Sequence, residues 1–279
     1  MKFYGSGDDQ KPVIFLFPGT CCLSGSFDHV LEGLHSYFYT VTVSYDGFDP
    51  NENTQFISME DECEKIEQEI KKKYGGRIKA AYGCSLGGSF VSLLIQRRNI
   101  HIDHGIIGSS DMDEAGHLMA KIQSLIVVPI MHQMIHTGKL PKFMQKKIKK
   151  MDESKKELVH GFLNMFGIGK GGYPWITKQS IYQQFYSDLV TKVEHAIDVK
   201  GTTIHVFYAT KMGEKYEKRY RTYFKNPDII RYDMQHEELF CCHSEEWVEE
   251  VRKAVEVFVQ DKVLCYHEKN NIVRKKADE

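Results

Sequence analysis

The sequence predicts an α/β protein, a mostly parallel sheet with helices on both faces, interrupted once by a helical insertion. Two observations carry this. Short apolar or β-branched runs alternate with amphipathic helical stripes from residue 12 to about 110, and again from 201 to about 259. That alternation marks strands joined by crossover helices. Between 115 and 198 it stops, and only helical stripes and loops appear.

The elements follow in order. PVIFLFPGT (12–20) is a continuous apolar run ending in Pro-Gly, so it reads as a strand buried on both faces and then a turn. FDHVLEGLHSYF (27–38) spaces Phe27, Val30, Leu31, Leu34 and Phe38 as a helix does, and YTVTVSYDGF (39–48) is β-branched and aromatic, hence a strand. From Ser58 a helix is expected. Ser58 can cap it, with Asp61 three residues on. Met59, Cys63, Ile66 and Ile70 form its apolar stripe, acids lead, lysines trail, and Gly75 stops it. IKAAYGCS (78–85) is the next strand, FVSLLIQRR (90–98) a helix and HGIIGSS (104–110) a strand. After the insertion come a strand in GTTIHVFYA, a helix in GEKYEKRYRTYF, a strand in DIIRYDM and a helix in EEWVEEVRKAVEVFV. The organisation is therefore a core of 1–114 and 199–266, a helical insertion over 115–198 expected to act as a lid, and a frayed tail over 267–279.

Composition narrows the function classes. A hydrophobic share of 42% with 27% charged residues suits a globular chain, and a net charge of −1 gives no basic domain for nucleic acid. The first ten residues carry Asp8 and Asp9 and no apolar segment, so a secretory signal is not expected. The apolar runs VIFLF and LIVVPIM are too short to span a bilayer, and no stable membrane anchor is expected. Seven cysteines, with adjacent pairs at Cys21–Cys22 and Cys241–Cys242 and no C-x-x-C, fit reduced thiols in a cytoplasmic protein better than disulfides or zinc.

One stretch carries chemistry. AYGCSLGGSF (81–90) places Gly83, Gly87 and Gly88 around Ser85, between an expected strand and an expected helix. That is the context a G-x-S-x-G nucleophile elbow requires. The turn is too sharp for side chains beside the serine, and small residues two before and two after let strand and helix approach. Ser85 is then held in a strained conformation, its Oγ above the sheet and the helix N-terminus aimed at the site.

Here the chain resembles the α/β-hydrolase superfamily, over most of its length outside 115–198. The resemblance implies a serine hydrolase with Ser85 as nucleophile and a triad in the order serine, acid, histidine. The histidine follows the last strand, which points to His236 in Gln235-His236-Glu237, with His243 second. The oxyanion donors would be the amides of Leu86 and, in the PGTCC loop, Thr20, with Cys21 next. The acid usually follows the strand before the last. In YATKMGEKYEKRY Met212 stands where Asp would fall, and Glu214 is the first carboxylate, with Glu217 a turn further on. A second site after the preceding strand exists in some lipases of the superfamily. There Met112-Asp113-Glu114-Ala115-Gly116 resembles Leu-Asp-Pro-Ala-Gly. Glu214 is preferred over Asp113, whose bland reading, like that of Asp111, is helix capping.

Other signals are set aside. HQMIH (132–136) has Gln133 where a zinc protease needs glutamate. GIGKGG (167–172) has no strand before it and reads as a hinge, not a phosphate cradle. KLPKFMQKKIKK (139–150) is basic and part apolar, but acids follow in MDESKKE, so a solvated helix face is expected. No metal or organic cofactor is expected. The expected reaction is hydrolysis of a carboxylic ester with an apolar acyl or alcohol group, through an acyl-enzyme. The alternatives are the same triad acting on a peptide, thioester or carbon–carbon bond, and a binding protein that keeps the fold without catalysis.

Overall fold

In a computed structural model of the chain, the described residues are 1–169 and 171–255, with the side chain of Ser154 left aside. The tail expected over 267–279, and the core from 256 to 266, lie outside them. Seven strands form one sheet: β1 (Lys2–Ser6), β2 (Val13–Phe17), β3 (Tyr39–Ser44), β4 (Arg77–Gly83), β5 (His101–Ile107), β6 (Thr203–Ala209) and β7 (Asp228–Tyr232). Their order is β1-β3-β2-β4-β5-β6-β7. All neighbours run parallel except β1 and β3, which pair antiparallel from Lys2 opposite Ser44 to Ser6 opposite Thr40.

The first strand corrects the sequence reading, which places none in the opening ten residues. KFYGS has no apolar run because β1 is a largely exposed edge strand. Backbone pairing to β3 holds it, and such pairing leaves no mark in side-chain patterning. Five strands, not four, precede the insertion.

Alternation along β2 assigns the two faces. Phe15 and Phe17 pack with Met59, Cys63, Ile66 and Ile70 of α2 (Met59–Tyr74) and with Phe90 of α3 (Leu86–Arg97). Ile14 and Leu16 point the other way, toward Val30 and Leu34 of α1 (Asp28–His35) and toward Trp247 and Val251. Those last two lie on a helix that runs from 244 to the last described residue, 255. The α2 signals act as expected: the Ser58 side chain accepts the Asp61 N–H, and Gly75 ends the helix at φ 63°.

Four helices separate β5 from β6: α4 (His117–Thr137), α5 (Lys142–Lys149), α6 (Glu153–Met165) and α7 (Lys178–Val190). Helix α7 is tied to the core through Ile181, and its Ser180 Oγ accepts the Phe56 N–H at 3.4 Å. The glycine stretch expected as a hinge is packed at its far end. Gly172 meets Gly138 backbone to backbone, and Tyr173 N–H donates to Ile135 C=O at 2.7 Å. Helix α4 carries the LIVVPIM run. This helix of 21 residues, with a mean hydropathy of 1.4 over its most apolar 18 residues, is by length and composition long and apolar enough to cross a membrane, although Lys121 and several His, Gln and Ser residues interrupt it. Two further helices, α8 (Glu214–Tyr223) and α9 (Glu238–Cys242), flank β7.

Candidate active site

Helix α3 begins at Leu86, four residues earlier than its apolar stripe suggests, so the turn from β4 is made by Cys84 and Ser85 alone. Ser85 sits at φ 49°, ψ −112°. A non-glycine residue there is strained and persists only where its surroundings over-determine it. The surroundings do so through glycine. A Cβ on Gly83 would collide with the Gly87 carbonyl, and one on Gly87 with the Phe17 carbonyl. Strand β4, helix α3 and strand β2 thus meet backbone to backbone around the serine, which is itself half-buried.

A third group completes the turn. Glu237, in the left-handed conformation at φ 54°, is only 3% exposed. Its Oε1 accepts the Ser85 N–H at 2.8 Å and its Oε2 accepts the Tyr82 hydroxyl at 3.3 Å. Burial pushes its carboxyl above the usual carboxylate range, while the adjacent His236 and the Ser85 N–H pull it back. This contact brings the loop after β7, with His236, to the Ser85 turn. The His236 imidazole lies nearly parallel to the Phe162 ring of α6, with centroids 6.0 Å apart and an interplanar angle of 12°. Among the described residues neither Ser85 Oγ nor the His236 side chain forms a hydrogen bond.

The loop after β2 forms the other wall. Gly19 stands beside the elbow, and a Cβ on it would lie 3.6 Å from Ser85 Cβ. The Cys21 amide is occupied, donating at 2.7 Å to Oε1 of the fully buried Gln184 from α7. No hydrogen bond engages the Thr20 amide among the described residues. Leu86 opens α3, where first-turn N–H groups have no carbonyl of their own helix to bind.

A search by structure places this arrangement among solved proteins. No family sequence model matches the chain, and no curated protein sequence matches it. An α/β-hydrolase-family protein from Desulfitobacterium hafniense superposes with TM-score 0.69 at 15% identity, covering 90% of this chain and 99% of its own. A thermophilic esterase from Thermogutta terrifontis gives 0.65 at 14% identity, with 93% of each chain covered. A type II thioesterase from the borrelidin biosynthetic cluster gives 0.64 at 10% identity, over 91% of this chain and 97% of its own. The chain has the α/β-hydrolase fold.

Within the α/β-hydrolase fold, Ser85, Leu86, Gly19–Thr20 and the His236 loop converge at the carboxyl ends of the strands. The expected acids do not join them by contact. Glu214 is exposed, at the start of α8, and no hydrogen bond or ion pair links it to His236. Its loop is nonetheless tied to the histidine loop, because Lys211 N–H donates to Met234 C=O at 3.2 Å. Asp113 is held in an ion pair with Arg219 of α8. Glu217 is paired with Arg221 and Arg231. His243 lies between α9 and the helix over 244–255.

Glu237 and Gln184 are the participants that sequence reasoning misses. Gln184 is one polar residue of a helix and Glu237, in the turn before α9, is one of two neighbouring acids, and nothing local separates a buried one from a solvated one. Elsewhere, the acidic cluster Asp46–Asp61–Glu62 is close enough to hold a cation, but the Lys65 ammonium already bridges Asp46 and Asp61.

Proposed function

We propose that the protein is a serine hydrolase that cleaves carboxylic esters through an acyl-enzyme. The observation that carries this reading is the backbone of Ser85, held at φ 49° between two glycines that cannot be larger, with its N–H fixed by a buried carboxylate. Strain of this kind costs on the order of 1–3 kcal/mol and is found where a side chain must be presented for chemistry.

In this reading Ser85 Oγ attacks the ester carbonyl carbon while His236 takes its proton. The tetrahedral oxyanion is held by the Thr20 and Leu86 amides, each worth about 3 kcal/mol in reactions of this type. The α3 N-terminus adds its dipole. Collapse breaks the bond to the alcohol, which leaves with the proton from His236. Water then attacks the acyl-enzyme by the same route. Glu214 orients His236. It is free of other partners among the described residues and next to the loop that carries the histidine, whereas Asp113 is already paired with Arg219.

The helices between β5 and β6 act as a lid. In support, α6 lays Phe162 on His236 and α7 puts Gln184 on the loop after β2. Its apolar side chains suit an apolar acyl or alcohol group. The free state of Cys21, Cys22, Cys63, Cys84, Cys241 and Cys242 fits a reducing, cytoplasmic compartment.

A panel of chromogenic carboxylic esters, thioesters and amides tests the bond type: turnover is expected on the esters, and turnover confined to amides overturns the reading. Glu214→Gln is expected to lower ester kcat by roughly 1,000-fold or more, as loss of a triad carboxylate does. A silent Glu214→Gln beside a crippled Asp113→Asn would move the acid to the loop after β5.

A further inference from the structure

Helix α4 is buried along one narrow stripe, in which Ala120, Ser124, Val128, Met134 and Ile135 are covered and the helix packs against α7. On its other side Leu118, Met119, Ile122, Leu125, Ile126 and Ile130 stand in solvent, Leu118 at 74% and Ile126 at 64% exposure. At about 100° per residue these six fall within an arc of roughly 140°, over roughly 18 Å of helix axis. No charged residue interrupts that arc. An apolar ridge of this extent on a folded chain marks a contact surface.

What the ridge fits is indicated by the basic segment that follows α4 in the chain. Residues 117–150 contain seven lysines and no acid, and six of the lysines crowd into 139–150, around α5. None of those six forms an ion pair among the described residues. Of the acids that follow, Asp152 pairs with Lys155 and Glu153 with Lys156 at the start of α6. Phe143, between two of the lysines' turns, is 67% exposed. Lys178 of α7 borders the ridge beside Leu125.

We propose that this face docks reversibly on an anionic phospholipid bilayer. The α4 ridge enters the boundary between headgroups and acyl chains, and the lysines of 139–150 lie over anionic headgroups. The helix lies in the plane and does not cross the membrane, because its opposite stripe stays packed on α7.

The test is flotation of the full chain with phosphatidylcholine vesicles, with and without phosphatidylserine. The chain is expected to float with the anionic vesicles and to be largely released by high salt. Lys146→Gln with Lys147→Gln should lower partitioning roughly 30-fold, since each cation near an anionic surface is worth about fivefold. Leu125→Asp with Ile126→Asp should abolish flotation. Both double variants alter exposed positions, so melting temperature should not change. The proposal is overturned if the wild type stays with the soluble fraction, or if the double aspartate variant floats as well as wild type. It is equally overturned if sedimentation shows a dimer that this variant dissociates while vesicles bind neither form.

Discussion

Around Ser85 the backbone is the packing surface. Gly83, Gly87 and the Phe17 carbonyl touch with no side chain between them, and the one side chain admitted, Glu237, bonds to an amide. In the segment from α4 to α7 the helices pack mainly by side chains along stripes, with one backbone contact where Gly138 meets Gly172, and one side of α4 is exposed. The first region has a single solution, and any added atom collides. The second tolerates substitution over most of its surface and so is free to carry a surface function. Tight backbone packing around Ser85 and latitude in the inserted helices are thus two different ways of using the same chain.

The contrast can be broken at the elbow first. Gly87→Ala places a methyl into the Phe17 carbonyl, and urea unfolding should show a loss of roughly 2–4 kcal/mol, toward the severe end for a single added carbon. A loss within 0.5 kcal/mol, the range of a surface change, would show that α3 can move away from β2 and that the elbow is not locked.

Glu237 comes next. Glu237→Ala leaves the Ser85 N–H and the Tyr82 hydroxyl buried without partners, at about 1–3 kcal/mol each. Because the first of these fixes the turn itself, kcat should fall roughly tenfold or more with KM little changed, and Glu237→Gln, which keeps an acceptor, should restore most of it. Equal losses in the two variants would reduce Glu237 to a bystander.

The smallest effect should appear where the two regions meet. Asp188 of α7 is half-buried, and burial and then the neighbouring Asp111 push its carboxyl up to about 8, while its hydrogen bond with Ser89 of α3 opposes the shift. A folded-state pKa above the unfolded value gives stability that is full at acid pH and lost as pH rises through about 8. Between pH 7 and 9 limited proteolysis of the segment should therefore speed up several-fold relative to the sheet. Asp188→Asn should flatten that rise. An unchanged rise in the variant would assign it to another group.

These differences also explain what could be read from the sequence. Six strands, the α2 caps and the elbow were legible because each obeys a local rule: apolar continuity, a capping serine, glycines flanking a serine between strand and helix. β1 was not, because KFYGS is specified by its pairing with β3 and not by its own pattern. Glu237 and Gln184 were hidden for a related reason. Their burial is decided by residues 152 and 163 positions away, Ser85 and Cys21 respectively. The α4 ridge was hidden because the same Leu and Ile spacing serves a buried helix equally well, and only the fold reveals that α7 covers one stripe.

The nucleophile remains the centre of the account, and covalent labelling tests it most directly. A fluorophosphonate transfers its phosphonyl group to an activated serine Oγ with loss of fluoride. Incubated with the full chain and followed by intact-mass and peptide mass spectrometry, it is expected to leave a single adduct, on Ser85, and none on a folded Ser85→Ala variant, which should also have lost ester turnover. An adduct on another residue, or a Ser85→Ala protein that still labels and still hydrolyses esters at the wild-type rate, would contradict the assignment.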